Sequence, residues 1–151
     1  MSGTRVRAAR NADVPALQAL VAGAFAPFTA RTGQRAAPVD TDWETVVWAL
    51  AGVVATRDDR IVGVLVLWPH PDHVLVETLA VAPEEQGRGV GSALLDRAEL
   101  TAIEAGTNAV RLHADARMTE ALAYCLRRGC AEVGRETVHG ASRVLLEKRL
   151  R

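Results

Sequence analysis

Residues 83–96, PEEQGRGVGSALLD, place three glycines and an arginine where an amphipathic run begins. Glycine weakens a helix interior by about 1 kcal/mol relative to alanine, so three at one helix start need a physical reason. The first N–H groups of a helix have no helical partners, and the helix dipole is positive at that end. A bare backbone lets an anion reach those donors, and Arg88 adds a charge that pairs with phosphate. The stretch reads as a phosphate cradle. A Walker loop is excluded because no lysine follows the glycines. A dinucleotide fingerprint fits badly: Gly87-x-Gly89-x-x-Ser92 has serine where the third glycine belongs, although Asp115 falls near the end of a following strand, where an acidic residue would suit it.

The other chemistry-bearing residues are sparser. His70-Pro71-Asp72-His73 offers two metal-capable rings in a turn, but no cysteine or third histidine lies near, so no metal is expected. Cys125 and Cys130 are at most a short turn apart, which predicts reduced thiols rather than a structural disulfide.

A chain of 151 residues suits one domain with one core, here residues 1–151. It is 49% apolar and 24% charged, with 18 basic against 18 acidic residues. That balance gives no global pull toward nucleic acid or an anionic membrane. No apolar run reaches the roughly 18–20 residues of a membrane span, and the first residues show no apolar signal core. A cytoplasmic protein is expected.

The elements that must position the cradle follow from periodicity. A short strand at 5–9 leads to a helix with the stripe Leu17, Leu20, Val21 and Ala24. Residues 26–40 read as a loop carrying Phe28, Arg31 and Arg35. Thr41-Asp42-Trp43-Glu44 fits a capping box for a second helix ending near Gly52. Strands are predicted at 53–56, 61–68 and 74–81; IVGVLVLW is apolar on both faces, as in a central strand. A helix from about Val90 to Ala105 buries Val90, Leu94, Ala98 and Ala102. A strand at 109–114, a helix at 118–128 and a last strand at 142–148 complete the chain. Three consecutive meander strands contradict a doubly wound sheet and with it the dinucleotide reading. The predicted class is α+β, a mixed and mostly antiparallel central sheet with helices on both faces.

Gln86-Gly87-Arg88-Gly89-Val90-Gly91 fits Gln/Arg-x-x-Gly-x-Gly/Ala, the pyrophosphate motif of the GCN5-related N-acetyltransferases. With VLVETLAVAPEE before it and this element order around it, the chain resembles that superfamily over essentially its whole length. The stretches 25–43, 74–95 and 118–130 further resemble small bacterial members of unassigned substrate. The resemblance implies a three-layer α/β/α sandwich, acetyl-CoA as acyl donor with no metal, and transfer of acetyl to a primary amine of a small molecule or peptide. It implies no nucleic-acid or membrane partner. Homodimers occur in the family, but no face is marked for one here.

Carried over residue by residue, the backbone of Leu79, Ala80 and Val81 lies beside the pantetheine arm. The N–H groups of Gln86, Gly87, Arg88, Gly89, Val90, Gly91 and Ser92 hold the pyrophosphate. An N–H near Leu79 stabilises the acetyl oxygen as it becomes negative. Glu77, interrupting an apolar strand on the side of Leu79, is the candidate base, since apolar surroundings raise a carboxylate's proton affinity. The plainer role for Glu77 is an ion pair with an arginine such as Arg111. Family members usually carry tyrosine four residues before the helix-ending glycine, to protonate the departing thiolate. Here that position is Cys125, and Tyr124 lies about 100° around the helix. Cys125 as a weak acid, Tyr124 reaching in, or simple packing of either remain open. An acetyl-cysteine route would need a histidine beside the thiol, for which His113 is the available residue. Phe25, Phe28 and Trp43 flank the loop that covers the acceptor in the family, with core packing the plainer role for Phe25 and Trp48. A different class of function, acyl-CoA binding without turnover, is suggested by the absent tyrosine.

Overall fold

The computed structural model describes residues 3–150. The elements are β1 (Arg5–Ala8), α1 (Val14–Thr32), α2 (Trp43–Trp48), β2 (Gly52–Arg57), β3 (Arg60–Pro69), β4 (Val74–Val81), α3 (Val90–Glu104), β5 (Ala109–Asp115), α4 (Thr119–Arg127), β6 (Ala131–Val138) and β7 (Ala141–Arg149). The seven strands form a mixed sheet in the order β1-β2-β3-β4-β5-β7-β6. The chain divides into two compact units: residues up to 67 together with 78–97, and residues 68–77 together with those from 98 onward.

In the first unit β1, β2 and β3 are antiparallel neighbours. Asp58 and Asp59 both take positive φ, 54° and 62°, which matches the right-handed twist of the hairpin they close. Val62, Val64, Leu65, Val66 and Leu67 are all buried, as the doubly apolar run predicts. Helices cover both faces here. A Cβ on Gly52 of β2 would lie 3.1 Å from Val46 Cγ1 of α2, and one on Gly63 of β3 only 2.8 Å from Val90 Cγ1 of α3. The register Gly52↔Val66 and Ala55↔Gly63 puts these two glycines on opposite faces. Asp13 is buried at the start of α1, gripped by Arg7 at 2.8 and 3.0 Å; that guanidinium holds its carboxyl below the usual range.

Three expectations change in this unit. Residues 26–32 are not loop, because α1 runs through Pro27 to Thr32. Pro27 and Gly23 both lie on the exposed side, so water can meet the Gly23 carbonyl that proline cannot serve, while Phe28 extends the buried stripe of Leu17 and Val21. The helix stops at Gly33, φ 72°, whose N–H donates to the Thr29 carbonyl at 2.8 Å. The cap of α2 is Asp42 rather than Thr41: its carboxylate accepts from the Thr45 N–H at 3.2 Å and from the Thr45 hydroxyl at 2.8 Å. That helix ends at Trp48, whose side chain is 86% exposed rather than packed in a core.

In the second unit the first half of β4 pairs in parallel with β5, and β7 lies antiparallel between β5 and β6. Val110, Leu112, Val144 and Leu146 are buried on one face. Glu99 of α3 reaches Lys148 on that face at 3.0 Å. The other face carries Arg111, His113, Leu145 and Glu147. Where one last strand was expected there is a hairpin, β6–β7, turning at His139 and Gly140 with φ 49° and 79°. β6 escapes recognition because it is an edge strand exposed along most of its length and irregular between Glu132 and Gly134, so it shows no alternation.

Candidate active site

The cradle lies wholly in the first unit. Thr78 and Ala80 of β4 point into the core, while Leu79 and Val81 lie on its half-exposed side. The Ala82 N–H donates to the Val62 carbonyl at 2.9 Å and ties the end of β4 to β3. A single 3-10 turn at Pro83–Glu85 follows, then Gly87 and Gly89 at φ 82° and 85°, a region L side chains rarely adopt. Nothing lies within 4 Å of where a Cβ would stand on either glycine. The Ala93 N–H donates to the Gly89 carbonyl at 3.0 Å and is the first helical bond of α3. The N–H groups of residues 90–92 precede it and belong to the donor-rich end of the helix. Arg88 is exposed beside them. An open, left-handed backbone at a helix N-terminus fits a bound pyrophosphate.

Sequence reasoning missed what supports this turn. Glu85 is buried, with Arg57 at 3.0 Å and Arg60 at 3.8 Å. Arg57 Nε and Glu85 Oε1 form an ion pair off the line a hydrogen bond needs. Arg57 also donates to the Thr4 hydroxyl at 3.0 Å and reaches the Arg88 carbonyl at 3.4 Å. The only signal was a second glutamate in PEE, which reads as an ordinary surface residue. In the same unit Trp43 and Phe28 are 2% and 7% exposed and pack as core, whereas Phe25 is half-buried. Arg35 pairs with Asp40 at 2.8 Å.

Glu77, Tyr124 and Cys125 lie in the second unit. Glu77 stands exposed, so the apolar surroundings expected for it are absent; it lies on the strand side opposite buried Val76 and Thr78. Arg111 is engaged elsewhere, with Glu147 at 2.8 Å and Asp72 at 3.9 Å. The β4–β5 pairing ends at Val76↔Leu112, and beyond it Glu77 acts electrostatically on His113. Burial pushes the His113 imidazole below its ordinary value and Arg143 adds to this, while Glu77 and Glu136 pull the other way. On that face His73, Leu75, Arg111, His113, Leu145 and Glu147 line a concavity of about 530 Å³. His73 is held by Asp72 at 2.7 Å and stacks on His70 with centroids 4.5 Å apart. Among the described residues no three His, Cys, Asp or Glu side chains are grouped to hold a metal.

On α4, Cys125 is buried while Tyr124 is half-buried under the Arg127 guanidinium, 5.9 Å from the ring centre. The Cys125 thiol meets that of Cys130, so the position expected to hold a proton donor holds half of a thiol pair.

A mixed seven-stranded sheet and a glycine turn leading into α3 define a class, and the comparisons agree on it. Residues 17–133 match the model of the acetyltransferase (GNAT) family. The chain belongs to that family, the GCN5-related N-acetyltransferases. The PaiA N-acetyltransferase of Thermoplasma acidophilum, solved with coenzyme A, is similar in fold: 15% identity over 97% of this chain and 99% of that one, TM-score 0.82. A GCN5-related N-acetyltransferase of Rhodopseudomonas palustris shows 25% identity over 99% and 98%, TM-score 0.78. A nourseothricin acetyltransferase shows 24% over 98% and 99%, TM-score 0.75. No curated protein matches. No helix among the described residues is long and apolar enough to cross a membrane.

Proposed function

We propose that the protein moves an acetyl group from acetyl-CoA to a primary amine of a small molecule or peptide by direct attack. The observation that carries this is the turn of Gly87 and Gly89, left-handed and open at the start of α3. Family membership and the coenzyme-A-bound fold neighbour support the donor. Acetyl-CoA supplies the activated thioester; the chain holds, orients and moves protons.

The N–H groups of residues 87 and 89–92, with the Arg88 side chain, hold the pyrophosphate; those of Gln86 and Arg88, expected to join them, already donate to the Pro83 and Glu85 carbonyls at 3.4 and 3.3 Å. The backbone of Leu79, Ala80 and Val81 aligns the pantetheine arm, and an N–H near Leu79 donates to the acetyl oxygen as charge develops there. Glu77 takes the proton of the incoming ammonium, directly or through water. Its exposure and the engagement of Arg111 with Glu147 and Asp72 support this over a structural ion pair. Phe25, half-buried, borders the acceptor, whereas Phe28 and Trp43 are buried. Return of a proton to the departing thiolate falls to Tyr124 or Cys125, or to water. Acid assistance is worth about 10²–10⁴-fold, and a thiolate leaves tolerably without it, so loss of the usual tyrosine slows the reaction without abolishing it.

Chromatographic detection of free CoA from acetyl-CoA with a panel of primary amines tests the reading. Amine-dependent release that falls about 10²-fold or more in Glu77→Gln is expected. Release unchanged in that variant removes Glu77 from its role. A second reading, an acyl-CoA-binding regulatory protein without turnover, is favoured by burial of Cys125 and the engagement of its thiol with Cys130. Tight acetyl-CoA binding with no release for any amine would select it.

A further inference from the structure

The end of α4 brings two thiols together by backbone geometry. Gly129, φ 99°, is the left-handed residue after the helix; its N–H donates to the Leu126 carbonyl and the Cys130 N–H to the Cys125 carbonyl, both at 3.1 Å. This paired bonding is the Schellman stop, in which the residue after the glycine and the third residue from the helix end commonly bring their side chains into contact. Here those residues are Cys130 and Cys125. The two differ in surroundings. Cys125 is buried, and Cys130 is half-exposed. Arg128 and Lys148 face Cys130 from the helix cap and from β7, opposed by Glu99 of α3, which both cations also grip. Cys125 donates its S–H to Cys130; that hydrogen bond, aided by Lys148 and Arg128, outweighs burial and Glu99 and pulls the Cys130 thiol down to about 7. The same hydrogen bond, with burial, pushes Cys125 up.

We propose that Cys130 is a site of reversible oxidation by hydroperoxides, with Cys125 as the resolving thiol. The Cys130 thiolate attacks the near peroxide oxygen: an S–O bond forms, the O–O bond breaks, and the departing oxygen takes a proton as water or alcohol. Cys130 is then a sulfenic acid, oxidised by two electrons as the peroxide is reduced. The Cys125 sulfur attacks it: the S–S bond forms, the S–O bond breaks, and hydroxide leaves as water with the Cys125 proton. The sum is two thiols and one hydroperoxide giving one disulfide and two molecules of water, or one water and one alcohol. A low-affinity proton, partial exposure and an adjacent second thiol are the features such sites need. The proposal stands whether or not the acetyl-transfer reading does.

Hydrogen peroxide applied to the full chain, followed by maleimide quenching and non-reducing peptide mapping, tests it. The expected product is a Cys125–Cys130 disulfide that dithiothreitol reverses. Cys125→Ser should instead stop at a sulfenic acid on Cys130 trapped by dimedone, and Cys130→Ser should leave Cys125 unmodified. With alkylating agents Cys130 should react roughly threefold faster than free cysteine at pH 7, its larger thiolate fraction partly offset by lower nucleophilicity. Its rate should rise through a midpoint near 7. Oxidation starting at Cys125, only intermolecular disulfides, or a Cys130 midpoint at the free-cysteine value would overturn it. The wild-type map decides the matter even if a variant fails to fold.

Discussion

Two turns of this chain, residues 82–93 and 125–131, both depend on left-handed glycines and use that freedom differently. After β4, Gly87 and Gly89 fold a backbone whose missing Cβ positions face open space at the start of α3. After α4, Gly129 folds a backbone whose donors are consumed within the turn, at Leu126 and Cys125. What that second turn presents is a pair of side chains. Chemistry carried by a backbone tolerates changes of neighbouring side chains; chemistry carried by side chains changes identity with each substitution. The first turn carries the motif by which the sequence resembles the family; in the second, cysteine stands where that resemblance leads one to expect tyrosine.

The largest loss is expected at Glu85. Glu85→Ala leaves Arg57 facing Arg60 without the buried carboxylate between them. Removing one partner of a buried pair costs about 3–5 kcal/mol, to be read from urea unfolding. A cost below about 1 kcal/mol would show that the first turn stands without its buried support. Gly129→Val is the matching change in the second turn. A β-branched residue at φ 99° should cost about 1–2 kcal/mol and separate the two thiols. An unchanged melting temperature would mean that the stop does not need glycine. The smallest effect sharpens the side-chain half. His113 is held below its ordinary value, so the unfolded chain binds its proton first as pH falls. Stability from this residue is present above about pH 6.5 and declines below it, toward the lower folded value. His113→Gln should flatten that part of the pH–stability curve; an unaltered curve would contradict its burial.

Legibility follows the same division. The core face of α3 and the run in β3 could be read because periodicity and burial act on many residues at once. The cradle could be read because glycines at a helix start have few other uses. The loop reading at 26–40 misses the last turns of α1, which run through Pro27 because the carbonyl that proline leaves unserved is exposed, and that exposure is not visible in sequence. β6 was invisible because an exposed edge strand needs no alternation. Trp48, for which core packing is the plainer expectation, is exposed, and Glu85 is buried, since single residues carry no periodic signal. For Glu77, position on the half-exposed side of β4 agrees with alternation, yet the apolar setting inferred from its neighbours belongs to the opposite side of the strand.

The most direct test of the cradle is the calorimetric affinity of Gly89→Val for coenzyme A beside that of the unaltered chain, with pantetheine, which lacks the pyrophosphate, as the control ligand. Loss of charge-assisted backbone hydrogen bonds worth about 1.5–3 kcal/mol should weaken coenzyme A binding about 10–100-fold and leave pantetheine binding unchanged. Equal coenzyme A affinity in both proteins, or none in the unaltered one, would contradict the account of the glycines.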